Sequence, residues 1–215
     1  MKKLVCLILM AVGLVNLSFV KKPQNDPKAQ EILDAMSKKY KEMTSFKAKF
    51  TYTLENGKLK ETAEGEITVK GSKFRLKLGD QEIYNNGTTV WTKIDDKEVN
   101  KSTYNPEEDD MNPTKIYTMY KKGYKYILIS EHNDGGKTFS TVDLEPLEPK
   151  KAQITKVRIV INKKDKTVKS WKIFEKNGNR YVYTIKSFTP NVTVTDSEFS
   201  FDKSKHPGVE VIDLD

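Results

Sequence analysis

Cysteine, histidine and arginine are all scarce in this chain. Of its 215 residues one is cysteine, Cys6, and two are histidine, His132 and His206. A single cysteine cannot close an intramolecular disulfide or build a Cys-rich zinc site. Two histidines leave almost nothing for a His-ligated metal, so no metal and no cofactor is expected. Nucleophilic catalysis needs a base beside the nucleophile. His132 sits in a hydrophilic turn and His206 precedes Pro207 near the C-terminus, and both read as surface residues. Gly136-Lys137-Thr138 looks like the tail of a phosphate loop. However, Glu131 stands where the first glycine belongs, and a strand-like run follows where a helix is required. Acidic residues are plentiful, yet the run Glu107 to Asp110 reads as a solvated loop, and nothing nominates a catalytic pair. The chain is therefore read as a non-enzyme.

The basic excess is lysine. Lys and Arg together number 38 against 30 acidic residues, a formal charge of +8, and the only arginines are Arg75, Arg158 and Arg180. The lysines are spread along strand-like runs, alternating with apolar residues. Nucleic-acid binding asks instead for clustered basic and aromatic side chains, so no nucleic-acid partner is expected.

The first twenty residues are of a different kind. Lys2 and Lys3 precede an apolar run from Leu4 to Val20, which Lys21, Lys22 and Pro23 close. This is the layout of a secretory signal peptide. An uncleaved anchor is the rival reading, since the run is at the short limit for a bilayer span. Residues 1–20 are read as the signal and 21–215 as one domain working outside the cytoplasm, with Cys6 lost on cleavage. No clean small-residue site fixes the cleavage point.

The remainder opens with one helical pattern. Asp26 can cap it, with Pro27 at the first helical position. Ala29, Ile32, Leu33, Met36, Tyr40 and Met43 then recur at helical spacing. After Thr44 the period becomes two. Phe50, Tyr52 and Leu54 alternate with threonines; Ile67 and Val69, then Phe74, Leu76 and Leu78, repeat the pattern. It returns in Val157-Ile159-Ile161, Trp171-Ile173 and Tyr181-Tyr183-Ile185. Asn56-Gly57, Asn86-Gly87 and Asn177-Gly178 are hairpin signals between such runs. Asn105 to Pro113 reads as an acidic loop, and Thr114 to Tyr120 as a short helix ended by Gly123. These patterns predict one curved or barrel-like antiparallel sheet with an N-terminal and a central helix against it.

Two short helices are a small cover for so many strands. The excess apolar surface is the candidate binding site, although a filled core accounts for the same alternation. The inward face is assigned to Phe50, Tyr52, Leu54, Ile67, Val69, Phe74, Leu76 and Leu78. Trp91 is placed with them, although Val90 and Trp91 point opposite ways and only one can face inward. Met36 and Tyr40, with Ile116, Met119 and Tyr120, are the helix-side candidates.

The order of segments resembles the LolA family. The resemblance is carried by Ile32-Leu33-Asp34-Ala35-Met36, Ser45 to Phe50, Gly65-Glu66-Ile67-Thr68-Val69-Lys70 and Lys73-Phe74-Arg75. It continues in Ile83 to Trp91, in the closing Phe199-Ser200-Phe201 and in Gly208 to Ile212. It implies an α+β fold: a single, strongly curved antiparallel half-barrel whose N-terminal and central helices form a lid over an apolar cavity. It further implies a monomeric periplasmic carrier for the acyl chains of lipoproteins. An inner-membrane ATP-driven complex would load it, and an outer-membrane receptor or the membrane itself would accept the cargo. An envelope lipid-binding or lipid-sensing module of the same shape is the alternative. A hydrolase with unrecognised carboxylates is a third. One departure matters: where the family often has Arg-Pro after the Val-x-Lys-like strand, this chain has Gly71-Ser72. The lid-latching role of that arginine does not transfer, and Lys70, Lys73 and Arg75 are the candidate substitutes.

Overall fold

The computed structural model describes residues 25–106 and 115–215. The expected signal over residues 1–20 and the acidic stretch 107–113 lie outside the described residues. The N-terminal helix, α1, spans Pro27–Glu42. The Asp26 carboxylate accepts from the amides of Lys28 and Ala29 at 2.9 and 3.4 Å, covering donors that a helix start leaves open. Ala29, Leu33, Met36, Ser37 and Tyr40 are its buried residues, so the stripe read from spacing is the face it buries.

Twelve strands follow. β1 spans Phe46–Asn56, β2 Leu59–Lys70, β3 Lys73–Leu78, β4 Gln81–Asn85, β5 Thr89–Lys93 and β6 Glu98–Thr103. After the 3-10 turn Met119–Lys121 come β7 (Tyr124–Asp134), β8 (Lys137–Pro146), β9 (Ile154–Asn162), β10 (Val168–Glu175) and β11 (Arg180–Pro190). The last, β12, spans Glu210–Asp213. All lie in one sheet, ordered β12-β6-β5-β4-β3-β2-β1-β11-β10-β9-β8-β7. Two meanders, β1 to β6 and β7 to β11, are thus joined by the long-range antiparallel pairing of β1 with β11. The sheet is large, curved and unclosed, with β7 and β12 at opposite edges.

The three Asn-Gly signals fall between β1 and β2, β4 and β5, and β10 and β11. At the first of these Asn56 pairs Leu59 across a two-residue loop, and Gly57 takes φ +59°, a value that suits glycine. The ladder is not regular throughout: the register shifts between β9 and β10 and between β7 and β8. A bulge opposite Lys49 and Phe50 also leaves Lys186 out of register with β1, which bends the strand locally. In addition β12 pairs with β6 in parallel.

The expected central helix is corrected in its described part. Lys115 is in 3-10 conformation, residues 116–118 form turns, and Met119–Lys121 makes a single 3-10 turn, so no α-helix forms among the described residues of this segment. Thr118 explains the interruption. Its φ of −127° is not helical, and its hydroxyl donates to the Lys115 carbonyl at 3.2 Å, a local bond that competes with helix formation.

α1 is fixed to the sheet edge by the same residue that caps it. The Asp26 amide donates to the Tyr126 carbonyl at 3.2 Å, and the second Asp26 oxygen accepts from the Leu128 amide at 3.1 Å. Asn25 Oδ1 accepts from the Tyr126 amide at 3.3 Å. These bonds occupy backbone groups of edge strand β7 that would otherwise be open. The Leu128 amide is the largest influence holding the Asp26 carboxyl below its ordinary range; burial opposes it, and the Lys28 and Ala29 amides add to the lowering. A folded-state pKa below the unfolded one stabilises the fold above the unfolded pKa, and that stability is lost as pH falls through the folded one. Asp26→Ala is therefore expected to lower the melting temperature at neutral pH. It should lower it less at acid pH, below about 4. Thermal unfolding across a pH series checks this; an equal loss at every pH would contradict it.

Candidate functional site

The pairing register decides which residues share a face. Across β1, β2, β3 and β4 one row runs Ala48, Ile67, Leu76, Ile83. The next runs Phe50, Gly65, Leu78. In the other direction Tyr52 pairs Tyr183, which pairs Trp171, which pairs Ile159. Leu54, Tyr181, Ile173 and Val157 form the adjacent row. All eight strand residues assigned inward from β1, β2 and β3 lie on this one face.

Burial divides the face in two. Near α1 it is dry: Phe50, Ile67, Val69 and Phe74 are buried, together with Val142, Leu144, Val157, Ile159 and Ile161. Away from α1 the same rows are only half-buried: Tyr52, Leu54, Leu76 and Leu78, with Ile83, Trp171, Ile173, Tyr183 and Ile185. A filled core accounts for the first group. The second is an apolar strip that α1 does not cover. From β4 to β10 it crosses five strand spacings, roughly 24 Å, long enough for an extended acyl chain to lie along it.

Aromatic rings pave its centre. Trp171 stacks on Tyr183 at 4.5 Å between ring centroids, and Tyr52 lies 5.2 Å from Tyr183. Burial pushes the Tyr183 phenol up, and the nearby Tyr52 and Tyr181 phenols add to it, so the hydroxyl stays protonated. At the far end Tyr181 donates to Glu175 at 3.2 Å, within a polar cluster that includes Asn179. Gly65 is required beneath Phe50, since a Cβ there would meet the ring at 2.3 Å.

The residues expected on the helix side come together around α1. Tyr40 stacks on Tyr117 at 4.7 Å and accepts from the buried Val168 amide at 3.1 Å. Tyr120 donates to Asp34 and packs edge-on against Tyr126. Met36 is fully buried, and Ile116 and Met119 pack half-buried against the same cluster. Burial, the main cause, and the Asp34 bond both raise the Tyr120 pKa.

Two expectations are corrected. Trp91 faces the opposite side of the sheet. It pairs with Tyr84, which pairs with Arg75, whereas its neighbour Val90 pairs with Asn85 on the face of Phe74. That outer face is polar: Arg75 bonds Glu82 at 2.8 Å, and Tyr84 donates to the same carboxylate at 2.5 Å. None of the candidate latch residues contacts α1 through an ion pair. Lys70 and Lys73 both bind Asp196 in the C-terminal segment, at 2.8 and 2.7 Å, and Arg75 is held by Glu82.

Ile83, Trp171, Ile173, Tyr183 and Ile185 were not assigned to the site from sequence. Their alternation was visible, but nothing local says that β11 pairs with β1 and so extends the same face.

On the outer face Glu82 and Asp143 are engaged in ion pairs. Buried Asp143 is held bidentately by Arg158 at 2.7 and 2.8 Å. No cluster of three or more potential metal ligands occurs among the described residues.

A family model described as outer membrane lipoprotein carrier protein LolA matches residues 41–202. No curated protein matches the chain. An uncharacterised conserved protein from Thermus thermophilus has a similar structure, with TM-score 0.58 and 12% identity, over 86% of this chain and 99% of that one. LolA superfamily protein NE2245 from Nitrosomonas europaea aligns with TM-score 0.43 and 12% identity, over 81% of this chain and 98% of its own. LprF from Mycobacterium bovis aligns with TM-score 0.48 and 14% identity, over 80% and 97%. At such identities the likeness to the Thermus protein is one of fold.

Gly65→Ala tests the geometry of the site. Pushing Phe50 off the β2 backbone is expected to cost about 1–3 kcal/mol, the usual range for overpacking. Denaturant unfolding measures it, and an unchanged midpoint would show that Phe50 can move freely.

Proposed function

The chain belongs to the LolA family, and on that premise we propose that it is a periplasmic carrier for lipoproteins, holding their acyl chains on the strip from Ile83 to Trp171. The observation that carries this reading is the division of one apolar face into a covered and an uncovered part. Each CH2 group taken from water contributes roughly 0.8 kcal/mol, so a lipid-modified protein cannot cross an aqueous space unshielded. A carrier must hide the chains and still release them. Tyr52, Leu76, Leu78 and Trp171 offer contact on one side only, which suits reversible binding. α1 with the 3-10 turn Met119–Lys121 is the proposed lid, and the space between lid and strip the proposed cavity.

The rest follows from the same reading. Residues 1–20 serve as an export signal and 21–215 as one carrier domain, acting as a monomer without cofactor. An ATP-driven inner-membrane complex supplies the lipoproteins, and an outer-membrane receptor or the membrane accepts them. On this reading the protein performs no chemistry, which is supported by the ion-paired carboxylates Glu82 and Asp143 lying on the outer face, away from the strip. The cluster around Tyr181, Glu175 and Asn179 favours a second reading. It could receive a lipid headgroup, as in an envelope lipid-binding or lipid-sensing module.

Release of lipoproteins from spheroplasts by the purified protein tests the proposal. Wild type is expected to bring lipoproteins into solution. Leu76→Glu and Ile173→Glu should lower the yield by about tenfold or more, since several CH2 contacts are lost beside each new charge. Native mass spectrometry of protein purified from the periplasm identifies the bound species. No release while a known carrier works in parallel would overturn the carrier reading, and a bound free lipid would support the second.

A further inference from the structure

One end of the sheet carries a cleft that shares only Ile185 with the strip of the carrier reading. The cleft, of about 890 Å3, opens between the C-terminal end of α1, the β7–β8 and β9–β10 turns and the end of β11. Its floor includes Met43, Val168, Ile185 and Phe188, all part of the main apolar cluster or packed on it. Ile185 pairs with Phe50, so this floor is continuous with the apolar face of the sheet.

Lysines rim the cleft. Lys39, Lys137, Lys164, Lys166, Lys169 and Lys186 stand around it against Asp134 and Asp165. All six are exposed. Among the described residues none of their side chains makes an ion pair or a hydrogen bond. The neighbouring Lys163 differs, being paired with Glu131 at 2.8 Å. Lys166 adopts φ +59°, a position that glycine or asparagine occupies more cheaply. The turn thus projects a cation at some conformational cost. Six unneutralised cations around an apolar floor match an anionic surface with an apolar interior.

We propose that this lysine-rimmed end docks on an anionic bilayer surface, with the Met43 and Phe188 side of the cleft facing the boundary between headgroups and acyl chains. Lysine is a compact point charge that suits a diffuse field of phosphates, and none of the three arginines lines the cleft. Interfaces with proteins favour arginine instead. Docking needs no cargo, so it stands or fails separately from the carrier reading.

Vesicle co-sedimentation tests it. The purified protein is mixed with phosphatidylglycerol/phosphatidylcholine vesicles or with phosphatidylcholine alone, at low and high salt. Wild type should bind only the anionic vesicles, and salt should release it. The double variant Lys166→Glu, Lys169→Glu should lose about tenfold or more in affinity. The pair Lys58→Glu, Lys97→Glu makes the same charge change elsewhere and should lose far less. All variants share one N-terminus, so only their differences count. Circular dichroism checks folding, with Lys166→Gln, Lys169→Gln as the milder pair. No preference for anionic vesicles, or an equal loss in both pairs, overturns the proposal. Binding to polyglutamate but not to vesicles overturns it in favour of an acidic protein partner.

Discussion

A single helix stripe buries against part of one sheet face, and the remaining features are arranged around that contact. Ala29, Leu33, Met36 and Tyr40 exclude water from the region of Val142, Val157, Ile159 and Ile161. A helix of sixteen residues is about 24 Å long and about 10 Å wide, while twelve strands at 4.8 Å spacing extend far beyond it. The coverage mismatch is set by geometry and no choice of side chains on α1 could remove it. Strands farther from α1 must either become polar on that face or leave apolar side chains half-exposed. Both occur: Thr92 and Asn100 take the positions beyond Ile83, whereas Leu76, Leu78, Trp171 and Ile173 stay apolar.

Polar bonds hold the helix at a fixed place without extending its cover. Asp26 ties its start to β7, Tyr40 ties its end to the first residue of β10, and Asp34 receives the Tyr120 hydroxyl. The C-terminal segment is secured elsewhere. Asp196 lies between Lys70 and Lys73, which lower its pKa to about 2, and Phe199 is fully buried. Ion pairs therefore serve the outer face and the chain end, and among the described residues the apolar strip is left without a charged latch. Movement of α1 relative to the strip would break hydrogen bonds and ring contacts and would expose the buried side chains of Leu33 and Met36.

Much of the architecture was legible because it is local. The α1 stripe, its Asp26 cap and the Asn-Gly hairpins depend on residues within a few positions of each other. Long-range features were not. The β1–β11 pairing joins segments far apart in sequence, and without it Tyr183 and Trp171 cannot be placed beside Tyr52. β12 adds in parallel to β6, and no local pattern announces that. Trp91 shows the limit of alternation: period two says that Val90 and Trp91 face opposite ways, but only the register with Asn85 and Tyr84 says which is inside. The central segment failed for a local reason, since Thr118 bonds back to Lys115 and the spacing of Ile116, Met119 and Tyr120 mimics a helix. The resemblance to the LolA family was legible from segment order, and Gly71-Ser72 marked the one place where its latch does not transfer.

The central claim is that the uncovered apolar strip is where an acyl chain lies. A photoreactive acyl probe, cross-linked to the protein and mapped by peptide mass spectrometry, tests this most directly. The account predicts adducts on the inward residues of β1, β3, β10 and β11, such as Leu54, Leu76, Trp171 and Tyr183. Adducts confined to the outer face around Tyr84 and Trp91, or none at saturating probe, would contradict it.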